Sequence, residues 1–472
     1  MTRTSIAFLL GAAVALGGGF SGVAGLPRLK VSDNHRFLVQ EDGKPFFWLA
    51  DTDWELFHRL NREEACQLLD NRKALGFNVV QAVAIAEVDG VGVPNAYGFK
   101  PFVADDRPEP AVNDGPDNDY WDHVDYVVDE ANRRGIYVGM LPTWGRWWKE
   151  ARLFTPENAR VYAEWLAKRY RDKGIVWILG GDRKADSERE RAIIAAFAHG
   201  LRAGDGGVHL VTYHPWGGGA SSELFHSADW LDFNMRQNGH EIDYPRYDGT
   251  LADYRRNDPV KPVIDGEPVY EGHPVAFNPD GRGHTVAADV RRALYWDLFN
   301  GACGHTYGHH SIWQFHGAKR TMEVNRDGIN RPLMPWHEAI NELGAAQMQH
   351  AKNLILSFDY FTRIPDPELL VADKVKSLVP GAGTRRYAAC RDEAGTYAFV
   401  YAPYSRAFTI DRTRLCDQPL VWAWMNPRDG KFSEWQQMPT SDGQVRFQPP
   451  TPGELLDWVL VIKTASDRRS RR

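Results

Sequence analysis

Cysteine is scarce in this sequence, and so is any excess of positive charge. Only four cysteines occur among 472 residues, at Cys66, Cys303, Cys390 and Cys416, so the chain is not a disulfide scaffold. Cys390 and Cys416 could pair in an oxidising compartment, or all four could be buried free thiols. The formal net charge of −6 lacks the global basic excess that draws proteins to nucleic acid, so we expect no nucleic-acid partner.

Long apolar runs are confined to the first 25 residues. There Arg3 precedes an apolar stretch at 6–16, and Gly22-Val23-Ala24 resembles a cleavage site, which together predict a signal peptide over residues 1–25. An uncleaved membrane anchor is the alternative, although the stretch is short for a bilayer span. We therefore expect an exported protein, periplasmic or secreted, that is monomeric and has no membrane partner once the signal peptide is removed.

Strand and helix patterns alternate between residues 45 and 310. Eight short runs rich in β-branched and aromatic residues predict strands at 46–51, 78–83, 136–142, 175–179, 209–213, 230–235, 262–265 and 304–307. Such alternation is typical of a parallel sheet with helical crossovers, and eight units over roughly 270 residues fit a closed (β/α)₈ barrel. An open doubly wound sheet is the alternative, but no glycine-rich phosphate-binding motif opens the first unit. We assign residues 26–360 to this α/β barrel domain.

The character of the sequence changes after Pro365-Asp366-Pro367. Short alternating strands are predicted at 386–390, 396–401, 407–410, 420–425 and 458–462, separated by the turn signals RDEAG, NPRDG and TSDG. We expect residues 361–466 to form a small all-β sandwich domain and residues 467–472 to form a basic tail. A further strand pair is predicted within residues 27–44.

Two carboxylates directly follow predicted barrel strands. In such barrels the active site forms at the carboxyl ends of the strands, and Asp182 follows the fourth strand while Glu267 follows the seventh. Carboxylates projecting from these two strand ends would face each other, as the hydrolysis of a glycosidic bond requires. We therefore predict Asp182 as general acid/base and Glu267 as nucleophile. A helix N-cap or a rim salt bridge is the alternative role for each.

Other polar and aromatic residues at the strand ends suit a carbohydrate. Flat rings stack on the apolar faces of sugars, although such rings can also simply plug the barrel end. The candidate substrate-binding residues are Asp51, Asp53, Trp144, Arg183, His214, Trp216, Asn234, Arg236, Tyr270 and His309. We expect Arg183, Arg236 and His214 to contact an anionic sugar next to the one that is released. His305 and His309 have HxxxH spacing but lie at a strand end rather than on a helix, so no metal and no cofactor is expected.

Several segments resemble one known family. The stretches GKPFFWLADTDWELFHRL, LGGDR, DGEPVYEG and YWDLFNGACGHTYGHHSIW resemble the apiosidase-like proteins, glycoside hydrolase family 140. The stretches FDYFTRIPDPELL and AWMNPRDGKFSEW resemble the small β-domain usually found with that catalytic domain, which is labelled a collagen-binding domain. The resemblance covers roughly residues 28–465.

The resemblance implies a function as well as a fold. It implies a barrel whose acid/base is the aspartate of the GGD motif and whose nucleophile is the glutamate of the GEP motif, which are Asp182 and Glu267 here. It also implies release of apiose-linked units from plant pectin of the rhamnogalacturonan-II type, so that the partner is a plant polysaccharide or oligosaccharide. A glycosidase of other sugar specificity on the same barrel and a non-catalytic carbohydrate-binding protein are the alternatives.

Overall fold

A computed structural model describes residues 25–243, 246–318, 329–371, 382–439, 443–451, 453 and 455–467. The predicted signal peptide, apart from Gly25, lies outside these described residues, and so does the basic end at 468–472. No helix within the described ranges is long and apolar enough to cross a membrane.

Eight parallel strands form one sheet in the first domain. The strands of this domain are β1 (Leu29–Val31), β2 (Leu38–Gln40), β3 (Trp48–Thr52), β4 (Val79–Val83), β5 (Phe102–Ala104), β6 (Arg107–Pro110), β7 (Tyr137–Leu141), β8 (Ile175–Gly180), β9 (Val211–His214), β10 (Asn234–Arg236), β11 (Val263–Asp265) and β12 (Gly304–Tyr307). The sheet order is β10-β11-β12-β3-β4-β7-β8-β9, and every pair in it is parallel. The predicted (β/α)₈ barrel is confirmed. The pairs β1–β2 and β5–β6 are separate antiparallel hairpins, and the first is the strand pair predicted within 27–44.

Side chains bring the two end strands of the sheet together. The Asp232 backbone N–H donates to Val211 O over 2.9 Å, and the Asp232 carboxylate accepts from Val211 N over 2.7 Å. The Thr212 hydroxyl donates to Phe233 O over 2.7 Å. The sixth barrel strand was predicted to begin at residue 230, but the parallel ladder with β11 begins at Asn234 because residues 232–233 are occupied in this contact with β9.

Helices surround the barrel and connect its strands. They are α1 (Leu56–Arg59), α2 (Arg62–Ala74), α3 (Tyr120–Arg133), α4 (Gly145–Trp148), α5 (Pro156–Tyr170), α6 (Glu188–Asp205), α7 (Ser222–Phe225), α8 (Asp248–Tyr254), α9 (Pro279–Arg282), α10 (Ala287–Phe299), α11 (His310–Trp313), α12 (Trp336–Ala339) and α13 (Leu343–Leu356). Their starts follow local chemistry. The Asn61, Thr155 and Ser187 side chains cap α2, α5 and α6, and Pro156 occupies the first turn of α5.

The second domain is all-β and antiparallel, as predicted. Its strands are β13 (Arg363–Pro365), β14 (Ala388–Asp392), β15 (Tyr397–Ala402), β16 (Phe408–Asp411), β17 (Leu420–Met425), β18 (Gln436–Gln437), β19 (Gln444–Phe447) and β20 (Trp458–Thr464). Six of them form the sheet β13-β14-β15-β20-β17-β18, and β16 pairs with β19 in a second sheet. Ile410 and Phe447 of the small sheet share a core with Val400, Trp424 and Ile462 of the large one.

Helix α10 joins the two domains through a shared core. The Tyr295 and Tyr401 rings stack with centroids 4.9 Å apart, and Phe299 lies 6.0 Å from Phe399. Beside these rings Arg291 forms a buried ion pair with Asp457 over 2.6 Å. The second domain is therefore packed on the helix layer of the barrel. Cys66, Cys303, Cys390 and Cys416 are all free thiols, so Cys390 and Cys416 do not pair.

Candidate active site

The turn after β8 directs Asp182 into a cavity at the mouth of the barrel. Gly180 and Gly181 have φ values of +92° and +97°, and Asp182 follows with φ +52°. A Cβ on Gly181 would lie 2.9 Å from the Trp144 ring and from the Gly145 nitrogen. Glycine is required here both by the left-handed backbone and by the close approach of its neighbours. Aspartate tolerates the left-handed region better than most residues.

Glu267 stands at the carboxyl end of β11 between two histidines. Its Oε2 lies 3.0 Å from His214 Nε2, and its Oε1 lies 3.3 Å from His240 Nε2. Burial raises the pKa of Glu267, but contacts and charge from His214 and His240 outweigh burial and hold that pKa well below the usual carboxyl range. Glu267 is therefore an anion over the ordinary pH range.

The pKa of Asp182 is shifted in the opposite direction. Burial and the nearby Glu267 charge raise its pKa, and these effects outweigh His214 and Arg183, which lower it. Its carboxylate pairs with Arg183 Nη1 over 2.9 Å, and its backbone N–H donates to His214 Nδ1 over 3.3 Å. His214 thus contacts the Glu267 carboxylate through Nε2 and the Asp182 backbone through Nδ1. Two carboxyls with pKa values shifted apart form the arrangement of one proton donor and one anionic group.

Both acids line one cavity of about 240 Å³. Its wall is formed by Trp54, Glu87, Val88, Trp144, Arg146, Asp182, His240, Glu267, Tyr270, His273, Phe277, Trp313, Ile329 and Asn330. The Trp54 and Trp144 rings lie 5.0 Å apart, and Trp54 Nε1–H donates to the Tyr270 hydroxyl over 3.2 Å. Aromatic faces beside paired carboxyls suit a sugar, which presents C–H faces next to hydroxyls.

The structure brings together some of the predicted site residues. Asp182, Glu267, Trp144 and Tyr270 line the cavity, while Arg183 and His214 contact its two acids.

Six other predicted residues lie outside the cavity, and their contacts explain why. Asp51 is buried against Arg72 of α2, and Asp53 is buried beside Asp51. Arg236 pairs with Asp253 over 2.6 Å. The remaining three have partners elsewhere: Asn234 contacts His226, Trp216 lies under Lys184, and His309 caps α11.

These positions correct part of the predicted anion contact. The Arg236 guanidinium is buried and neutralised by Asp253, so it cannot reach a sugar in the cavity. Arg183 is neutralised by Asp182, Glu87 and Glu150. Arg146, which we did not predict, lines the cavity with its guanidinium over the Trp147 ring at 5.2 Å. Within the described ranges it pairs with no carboxylate.

Sequence reasoning also missed three histidine and acid positions around Glu267. Glu87 follows β4 by four residues, and applying the strand-end rule to this second barrel strand would have found it. His240 and His273 come from long irregular segments, where no periodicity marks them. Their rings stack 3.9 Å apart beside Glu267, and burial lowers the pKa of His273. In the part of the chain that the structure describes, no group of three or more His, Cys, Asp or Glu side chains could hold a metal ion.

Family models and solved structures show which proteins this chain resembles. The model "Apiosidase-like, catalytic domain" matches residues 32–362, and "Putative collagen-binding domain of a collagenase" matches residues 364–463. A solved structure described as "Glycoside hydrolase" is 32% identical, with a TM-score of 0.82 over 94% of this chain and 98% of that one. A family 5 glycoside hydrolase from Bacteroides vulgatus ATCC 8482 is 32% identical, with a TM-score of 0.80 over 94% of both chains. No curated protein matches this chain.

A barrel with two carboxyls in one aromatic cavity and these relatives define a glycoside hydrolase, so the protein is an enzyme that cleaves O-glycosyl bonds. The chain belongs to the apiosidase-like family, whose catalytic-domain model covers most of its length. The predicted family resemblance is thereby confirmed.

The left-handed turn before Asp182 gives a first testable expectation. We expect Gly181→Ala to lower kcat/KM by about 10²-fold. The new Cβ would lie 2.9 Å from the Trp144 ring and the Gly145 nitrogen at a φ of +97°, so the turn that positions Asp182 must shift, and a shift of about 1 Å at a catalytic group is that costly. The matched control is Gly217→Ala, whose Cβ would meet nothing within 4 Å and which should stay within about twofold of wild type. Equal kcat/KM for the two variants would contradict the expectation.

Proposed function

We propose that this enzyme is a retaining glycosidase that hydrolyses apiosyl linkages in plant pectin of the rhamnogalacturonan-II type. Asp182 serves as general acid/base and Glu267 as nucleophile. The observation that carries the mechanism is the opposed pKa shift of two carboxyls in one cavity, with Asp182 raised and Glu267 lowered. The sugar and the pectic substrate rest on membership of the apiosidase-like family.

The proposed reaction has two steps. In the first, a Glu267 oxygen attacks the anomeric carbon, the glycosidic C–O bond breaks, and Asp182 donates its proton to the leaving oxygen. In the second, Asp182 takes a proton from water, the water oxygen attacks the anomeric carbon, and Glu267 leaves as a carboxylate. His214 and His240 support this cycle because they stabilise the Glu267 anion before attack and after departure.

The location of the enzyme and its oligomeric state are part of the proposal. We infer export to the periplasm or the medium from the predicted signal peptide, where a polysaccharide too large to enter the cell would meet the enzyme. We also propose that the enzyme acts as a monomer, since this one chain supplies both proposed catalytic acids, Asp182 and Glu267.

Product analysis tests the proposal. The wild-type enzyme should release apiose from oligosaccharides of rhamnogalacturonan-II, and ¹H NMR should show the first-formed anomer to have the configuration of the substrate. A panel of other pectic, xylan and mannan fragments serves as the comparison. Release of a different sugar would replace the proposed substrate, and a first-formed product of inverted configuration would exclude the nucleophilic role of Glu267.

Arg146 provides a test of the anionic substrate. It is the cavity cation that no described carboxylate neutralises, so it suits the carboxylate of a uronic acid beside the cleaved sugar. We expect Arg146→Gln to raise KM by about 10- to 100-fold on an oligosaccharide with free carboxylates, the loss of one charge-assisted contact. On the methyl-esterified oligosaccharide its KM should match wild type.

The exposed Arg160 of α5 provides the charge-matched control, because Arg160→Gln removes the same charge at a residue that does not line the cavity. Its KM should be unchanged on both oligosaccharides. An equal rise in KM for Arg146→Gln on both substrates would exclude recognition of the carboxylate.

A further inference from the structure

Glu87 is a third carboxyl at the cavity, and the chain on both sides of it is held in place. Trp147 Nε1–H donates to the carbonyl oxygen of Ala86 over 2.8 Å. The backbone N–H of Val88 donates to the buried Glu55 carboxylate over 3.0 Å. These two hydrogen bonds anchor the backbone on either side of Glu87, and the Glu87 side chain lines the cavity. None of the roles assigned above uses it.

One guanidinium connects Glu87 to the proposed acid/base. Arg183 Nη1 lies 2.9 Å from Asp182 Oδ2, Arg183 Nη2 lies 3.5 Å from Glu87 Oε1, and Arg183 Nε lies 2.7 Å from Glu150 Oε1. A single positive charge is thus divided among three carboxyls. The Glu150 side chain is 50% exposed and that of Glu87 27% exposed, so water screens Glu150 more strongly than Glu87.

We propose that Glu87 is a positioning residue that controls the acid/base through Arg183. By holding part of the guanidinium charge, the Glu87 carboxylate limits how far Arg183 stabilises the Asp182 anion, and so extends to higher pH the range in which Asp182 keeps its proton. The inference rests on the proposed role of Asp182 as general acid. It adds a residue that follows the second barrel strand to a mechanism otherwise built from residues that follow the fourth and seventh strands.

The charges around both groups support this direction. Glu87 faces Arg183, Asp182, Glu55 and Glu267, and burial together with the three acids raises the pKa of Glu87 to about 7 against the opposing effect of Arg183. Above that pH the Glu87 side chain is an anion and attracts the Arg183 guanidinium.

The test compares pH profiles of kcat/KM for wild type and Glu87→Gln on two substrates. With an oligosaccharide, whose leaving oxygen needs a proton, the basic limb reports Asp182 in the free enzyme. Without the Glu87 charge, Arg183 stabilises the Asp182 anion more, so the basic limb should move to lower pH by about half a unit to one unit. With a 4-nitrophenyl glycoside of the same sugar, which leaves without a proton, the two profiles should coincide.

Three further variants make the result specific. Glu150→Gln removes the other acid from Arg183 by the same isosteric change, and should shift the limb in the same direction by a smaller amount because Glu150 is more exposed. Arg183→Met removes the shared cation and should shift the limb to higher pH. Glu87→Asp keeps the charge and should restore the wild-type limb, which separates charge from side-chain packing.

An equal loss of kcat/KM on both substrates, with an unmoved basic limb in Glu87→Gln, would overturn the inference and leave Glu87 a structural residue. Failure of the proposed function is recognised in the wild-type enzyme alone. If the wild-type basic limb is the same for both leaving groups, Asp182 is not the general acid and the inference falls with it. If wild type cleaves a glycoside other than an apioside, only the proposed sugar is wrong, and the same comparison on that glycoside decides the role of Glu87.

Discussion

Glu267→Gln is expected to lower kcat by on the order of 10⁴-fold or more, because the amide cannot form the glycosyl-enzyme and covalent catalysis is lost entirely. The substitution keeps the shape of the side chain and its place between His214 and His240. Steady-state assays on the oligosaccharide that wild type cleaves measure the effect. Circular dichroism and thermal unfolding should show a folded protein.

A second acid of the same loop gives the matched control. Glu271 is buried like Glu267, but its carboxylate accepts from the Tyr307 hydroxyl over 2.6 Å and from Gly344 N over 3.2 Å, and it does not line the cavity. Glu271→Gln should therefore stay within about tenfold of the wild-type kcat. A comparable loss in both variants would show that any change in this loop disables the enzyme, and would withdraw the assignment of Glu267.

Azide distinguishes the two acids from each other. In Asp182→Ala, an aryl glycoside can still react with Glu267, and azide then attacks the glycosyl-enzyme to give a product of retained configuration. In Glu267→Ala, azide attacks the substrate directly and gives the inverted configuration. NMR of the glycosyl azides therefore assigns nucleophile and acid/base independently of the size of any rate loss.

Asp457→Ala is expected to cost about 3–5 kcal/mol of unfolding free energy, because it leaves the buried Arg291 charge without its carboxylate. Asp457 also accepts from the Tyr401 hydroxyl over 2.9 Å and from Arg428 Nη1 over 3.2 Å, so its loss affects both domains. Urea unfolding followed by tryptophan fluorescence and by circular dichroism measures the change. Because the core is continuous through α10, both probes should report one transition in wild type.

The control for this variant is an exposed ion pair in the same domain. Asp429 lies 3.5 Å from Lys431 at the surface, and Asp429→Ala should cost no more than about 1 kcal/mol. Asp457→Asn keeps the side-chain volume and an acceptor for Arg291. Its loss of unfolding free energy should therefore fall between those of Asp457→Ala and Asp429→Ala. If the unfolding free energy of Asp457→Ala lies within about 1 kcal/mol of the wild-type value, the buried ion pair does not stabilise the junction between the domains.

The barrel could be predicted from the sequence because each of its strands is buried and therefore consists of a short run of apolar and β-branched residues. The boundary of β10 could not, since its preceding residues are drawn towards β9 by the Asp232 carboxylate, a long-range contact with no local pattern. The hairpin β5–β6 escaped prediction for a similar reason, because Pro108 and Pro110 interrupt the pattern of a strand.

The candidate site was predictable where the strand-end rule meets a special backbone. The two glycines before Asp182 mark a left-handed turn with close neighbours, which distinguishes this strand end from the others. Asp51 also lies at the carboxyl end of a barrel strand, but it contacts Arg72 in the helix layer. Successive side chains of a strand point to opposite faces, and Asp51 lies on the outer one. His240 contacts Glu267, and His273 stacks on His240. Both come from segments whose path depends on tertiary packing alone, so no local signal identifies them.

The shared core at α10 has a practical consequence for anyone cutting or recombining this chain. A truncation near residue 362 would expose the rings of Tyr295 and Phe299 to water and leave the Arg291 guanidinium without its carboxylate partner. The isolated barrel should therefore aggregate and be less stable than the full chain. A chimaera that exchanges the second domain must therefore also exchange the residues on the outer surface of α10, because this helix and the second domain share one core.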